Sequence, residues 1–160
     1  MSSEFITGVK YPHPFAELAV ELCGSAAREV CILSPALDHE VFDNGELTDA
    51  LGILIRSSRQ TRVRIIVADT RGVVSRGHRL LLLARRIPSS VQIRKLAEHP
   101  QWKGETIVIC DRDGVLYKRG DSDHDGFYEP SSRSSTRRHL DHFEDHSPVS
   151  TGEAAPRPLS

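Results

Sequence analysis

The sequence predicts an α/β fold: a mixed, mainly parallel sheet with helices on both faces, ending in a β-hairpin. Three observations carry this reading. Short apolar runs, VCILS at 30–34 and RVRIIVA at 62–68, alternate with segments whose apolar residues recur at helical spacing. Strands separated by helices pair in parallel, with the helices packed across them. Two later apolar runs, 106–110 and 115–118, bracket Asp111-Arg112-Asp113-Gly114, an antiparallel turn signal.

Residues 1–13 are polar and are expected to stand outside the domain. Over 14–27, Phe15, Leu18, Ala19 and Leu22 fall at the i, i+3, i+4, i+7 spacing of one buried helix face, and Pro14 suits a first turn. VCILS is wholly apolar, as a strand buried on both faces must be. Asp43-Asn44-Gly45 opens a second helix whose stripe is Leu47, Ala50, Leu51, Leu54 and Ile55. RVRIIVA is the second strand, and residues 69–72 form a loop at its C-terminal end. A third helix over 75–86 carries Leu80, Leu83 and Ala84 and is stopped by Pro88. VQIRKL, 91–96, alternates and reads as a strand with one wetter face. The hairpin follows, with Gly114 expected at positive φ. Residues 121–133 read as a loop, and 136–145 as a short helix using Leu140 and Phe143. The domain is therefore bounded at 14–145, with a flexible tail from 146 to 160. Ile32, Leu33, Ile65, Val67, Leu81 or Leu82, Ile93, Val108 and Leu116 are the expected core.

The chain has 160 residues, enough for one domain with a substantial core. Apolar residues make up 38% and charged residues 27%, as in ordinary water-soluble domains. A formal charge of −1 gives no general attraction to nucleic acid or an anionic membrane. Cys23, Cys31 and Cys110 lie in apolar segments without CxxC spacing, which favours a reducing, cytoplasmic setting over a disulfide framework. No signal peptide is evident, and the longest apolar run is too short to span a bilayer. No cofactor-binding motif is present.

Several constellations bear on chemistry. Asp111-x-Asp113-Gly114 after an apolar strand resembles the first motif of the haloacid-dehalogenase phosphatases. There the first Asp is the nucleophile and the second the general acid, but here too little chain follows to complete such a site. Asp121, Asp123 and Asp125 alternate before Gly126 like the start of a calcium loop. The twelfth position is Ser132, leaving Glu129 as the replacement ligand. Arg76, His78 and Arg79, at the start of a helix and near strand C-termini, are candidates for holding an anion.

His99, Lys103 and Asp111 precede or end the hairpin's first strand in the order His, Lys, Asp. That order, with the helices and strands before it, resembles one half of the phospholipase D superfamily over roughly residues 14–145. SPALDHEVFDN, RVRIIVADTRG and RGHRLLLLARRIPSSVQIR further resemble an uncharacterised bacterial domain found alone or joined to acetyltransferase-like domains. The superfamily signature is His-x-Lys, with four residues between Lys and Asp. The resemblance implies a His nucleophile, a Lys that clamps phosphate, and two halves meeting so that a second His protonates the leaving group. Here three residues separate His99 from Lys103 where the signature has one, so the two cannot stand as neighbours two positions apart on one strand face. The expectation is thus a catalytically degenerate domain that binds or assembles, with an anionic or phosphate-containing ligand and a homodimer as its partners. The alternative is an active dimeric phosphodiesterase or nuclease with a non-standard His99–Lys103 site.

Overall fold

The structure, a computed structural model, describes residues 5–75, 77–96 and 102–145. It is built on one seven-stranded sheet in the order β1-β7-β6-β5-β2-β3-β4. The strands are β1 (Ile6–Val9), β2 (Glu29–Ser34), β3 (Arg62–Val67), β4 (Val91–Lys95), β5 (Thr106–Cys110), β6 (Gly114–Lys118) and β7 (Gly126–Glu129). The helices are α1 (Phe15–Gly24), α2 (His39–Phe42), α3 (Gly45–Ser57), α4 (Arg71–Ser75), α5 (Arg79–Arg86) and α6 (Arg133–Asp145).

The α/β class with helices on both faces holds, but the sheet is mostly antiparallel. Among the described residues only β2–β3 and β3–β4 pair in parallel. The hairpin does not end the fold. β6 continues into β7, which pairs with β6 and with β1, and α6 then returns across the sheet. The short strands β1 and β7 are hard to recognise in sequence because each is only four residues long, and three of the four positions of β1 are exposed.

Alternation explains the layers. Along β2, Val30 and Ile32 enter a large core under α1, α3 and α5, while Cys31 and Leu33 enter a smaller one under α6. In β5, Val108 and Cys110 face the large core, and Ile107 and Ile109 the small one. These two strands are apolar on both faces because both faces are covered. In β3 and β4 the second face turns polar with Arg64, Gln92 and Arg94, so α6 has less to cover there. Arg64 joins the layers: it pairs with Glu29 at 2.8 Å and with Glu144 at 2.6 Å, and lies 5.2 Å from the Phe143 ring centroid. The expected core residues are all buried; of the pair Leu81 and Leu82, Leu81 is inside and Leu82 faces out.

The turn between β5 and β6 differs from expectation. Asp111 takes the positive φ, +55°, and Gly114 is the first residue of β6. Gly114 is demanded by space instead. A Cβ there would stand 2.6 Å from Leu22 Cδ1 and 3.2 Å from the Pro130 carbonyl oxygen. Gly114→Ala should therefore cost about 1–3 kcal/mol by overpacking, read as a lower urea midpoint at unchanged slope. Gly72→Ala, whose Cβ meets nothing within 4 Å, is the control and should show no such loss.

Candidate functional site

At the C-terminal ends of β2 and β3 the chain builds a rigid corner. Ser34 Oγ accepts from the Leu37 amide at 3.0 Å, and Leu37 sits at φ +54°. His78 Nε2 donates to the Leu37 carbonyl at 3.0 Å, while its Nδ1 accepts from the Leu80 amide at 3.1 Å and so caps α5. Both ring nitrogens are committed, the side chain is fully buried, and burial pushes its pKa below the ordinary 6.5. His78 is thus a neutral bolt between two loops rather than an anion ligand. Arg79 is engaged too: its amide donates to Asp43 Oδ1 at 3.0 Å, and its guanidinium contacts the same carboxylate at 3.2 Å. Arg76 lies outside the described residues.

His99 also lies outside the described residues. Lys103 is exposed in the segment before β5, and its amide donates to Glu105. Asp111 stands at the other end of β5, a strand roughly 17 Å long. The two are not brought together. The Asp111 carboxylate accepts from the amides of Ala27 (3.0 Å), Arg28 (2.8 Å) and Glu29 (2.9 Å), at the start of β2. This acid closes backbone where the chain enters β2. A strand and not a helix begins at Gly114, as the hairpin reading requires.

The signature register, counted back from Asp111, lands elsewhere. Four residues before Asp111 end at Thr106, and two before that stands Gly104. Thr106 is buried, and Gly104 lies outside β5 at φ +83°, a conformation L side chains rarely adopt. The strand that would present His and Lys therefore presents neither. Lys118, paired with Thr106 across the hairpin, is the nearby cation that the sequence reading missed. It is only 8% exposed, contacts Asp123 at 3.2 Å and lies 4.9 Å from the Tyr11 ring centroid.

Asp121, Asp123 and Asp125 do not converge on a cation position. Arg119 pairs with Asp121 at 3.0 Å and with Asp125 at 3.7 Å, and Lys118 holds Asp123. Glu129 accepts a short hydrogen bond from the Ser135 hydroxyl. Among the described residues no group of His, Cys, Asp and Glu has metal-site geometry, and no helix is long and apolar enough to cross a membrane.

The fold is similar to that of solved phospholipase D family members. Nuc from Salmonella typhimurium, a phospholipase D family member, superposes with a TM-score of 0.62 at 15% identity, over 89% of this chain and 94% of that one. NucT from Helicobacter pylori gives 0.53 at 12% identity, over 89% and 96%. TrmBL2, an archaeal chromatin protein whose structure shows a novel mode of DNA binding, gives 0.61 at 13% identity. That likeness covers 89% of this chain, which spans about half of TrmBL2 (50%). These likenesses are of fold. No curated protein matches the sequence. The family described as Domain of unknown function (DUF7931) matches residues 11–154, and the chain belongs to it.

Asp111→Ala should cost about 2 kcal/mol, since three amides lose one charged acceptor. Asp111→Asn, which tolerates the left-handed backbone and keeps one oxygen, should lose less. Denaturant titration of both variants checks the order. Equal stability of Asp111→Ala and the parent chain would show that the carboxylate does not hold this corner.

Proposed function

We propose that this chain is a catalytically degenerate phospholipase D-like domain that works as a binding or assembly module. The observation that supports this most is the register of β5. Thr106 and Gly104 stand where the signature counted from Asp111 requires Lys and His, and Asp111 itself serves the backbone. Phosphodiester cleavage by this fold needs a His nucleophile and a clamped phosphate on one strand face. The fold itself does not argue against a binding role, because a fold hosts functions through its sites. One neighbour of the same fold is a chromatin protein described for DNA binding.

The alternative is an active dimeric phosphodiesterase or nuclease in which His99 and Lys103 supply the chemistry. It predicts turnover of bis-p-nitrophenyl phosphate. The degenerate reading predicts none above background, with or without divalent metal, and no change on His99→Ala. Turnover that vanishes in a folded His99→Ala variant would sink it.

A homodimer belongs to the same proposal. α6 packs on β2, β5 and β6, and among the described residues no helix lies over the second face of β4, where Gln92 and Arg94 stand. A second copy meeting that side is the simplest cover, and symmetric dimers are the commonest oligomers. Multi-angle light scattering at tens of micromolar should give the mass of two chains; the mass of one would remove the dimer.

A further inference from the structure

We propose that the arginine-lined cavity beside the start of β2 binds a compact ligand carrying two or more phosphate groups. The site lies at the end of the sheet opposite the corner held by His78. It is a cavity of about 590 Å³, lined by Arg28, Arg112, Arg133, Arg137, Thr136 and Asp141, with Leu140. Its volume falls within the range of small-molecule sites. A neighbouring cavity of about 410 Å³ shares Arg28, Arg112 and Arg133 and adds Arg62.

Charge is the first argument. Four guanidinium groups line the larger cavity against one carboxylate, Asp141. The other acids nearby are already engaged. Asp111 accepts three backbone amides, Glu29 faces Arg64 and Arg62, and Asp113 faces Arg133 at 3.3 Å. Among the described residues, the side chains of Arg28, Arg112 and Arg137 have no partner. Three guanidinium groups without a partner against one carboxylate, Asp141, leave a net positive local field in a chain of net charge −1. Arginine's planar fork fits phosphate oxygens two at a time.

Construction is the second argument. The arginines come from three segments, and one turn fixes all of them. Asp111 ties the amides of Arg28 and Glu29 to the residue next to Arg112. The Asp113 carbonyl accepts from the Ser132 amide at 2.7 Å, just ahead of α6. Arg133, Thr136, Arg137 and Asp141 then share one face of α6 at i, i+3, i+4, i+8 spacing. The backbone that carries the four arginines is thus fixed before a ligand arrives, which lowers part of the cost of binding.

The third argument is an unsatisfied donor. Thr136 is fully buried in the cavity wall, and its Oγ1 has no hydrogen-bond partner among the described residues. Buried hydroxyls are nearly always paired, so this one, in the wall of a cavity lined by four arginines, is left to turn toward an acceptor that enters from outside the chain. A phosphate oxygen meets both needs. The convergence on one cavity favours a compact polyphosphate over a long strand, which would use a stripe of cations.

The proposal shares the binding-module reading but does not need the loss of catalysis, because its test reads binding and not hydrolysis. The full chain is titrated with inorganic triphosphate, pyrophosphate and orthophosphate at fixed ionic strength, by calorimetry and by thermal unfolding. Saturable one-site binding is expected, tightest for triphosphate and weakest for orthophosphate. Arg112→Ala and Arg137→Ala should each weaken it at least tenfold, about 1.4 kcal/mol, with the ligand-free unfolding temperature unchanged. Thr136→Val should weaken it as well, and Arg86→Ala on α5 should not. Absence of saturable binding overturns the proposal, as does equal binding by the Arg112 and Arg137 variants. Tighter, length-dependent binding of oligonucleotides would overturn the compact ligand in favour of a nucleic-acid surface.

Discussion

The rest of the structure hangs on one carboxylate. Asp111 reaches back across the sheet from the β5–β6 turn and gathers three consecutive amides where the chain enters β2. Those amides precede or begin the strand, where the chain has left α1 and the ladder is only starting. The acid supplies the missing acceptor and locks β2 against β5. It does so from the left-handed region that Asp tolerates better than most residues. Because β2 and β5 are buried on both faces, this contact fixes one end of the strand pair that separates the large and small cores.

The central strands could be read from sequence because burial on both faces leaves almost only apolar residues, and VCILS and TIVIC are apolar except for the terminal Ser34 and Thr106. The mistaken sheet direction has a plain cause. Helices between strands do specify parallel neighbours, as they do for β2, β3 and β4. They say nothing of where the later hairpin inserts, and it pairs with β2 antiparallel on the other side. β1 escaped notice because Ile6 and Thr7 are exposed and only Val9 enters the core. Its pairing with β7 is a tertiary fact with no local pattern behind it. Gly114 shows the same limit. A turn was legible at Asp-Gly, but the need for glycine comes from Leu22, ninety-two residues earlier in the chain.

The candidate site was less legible than the fold. His78 attracts attention as a histidine at a helix start, yet what decides its role is the Leu37 carbonyl, forty-one residues away. Lys103 and Asp111 lie eight positions apart, but an intervening strand sets them at opposite ends of the sheet. The arginine cavity draws on positions 28, 112, 133 and 137, and no spacing rule joins these numbers. Only the register of the signature was recoverable from the chain itself. Counting backward from the acid, instead of forward from the histidine, leads to Thr106 and Gly104.

The thin layer under α6 has a thermodynamic consequence. α6 rests on a small core centred on Phe143, helped by Arg64 and Glu144, whereas the helices opposite share a much larger one. The layer with the smaller core is where partial opening costs least. Arg133 and Arg137 ride on this helix, so the arginine cavity exists only while α6 is docked. Any anion held there binds the docked state and not the open one, and mass action then converts its concentration into helix stability. Salt acts in the opposite direction, screening both the Arg64–Glu144 pair and the cavity's field. Ionic composition thereby sets how long the second face of β2 and β5 stays covered.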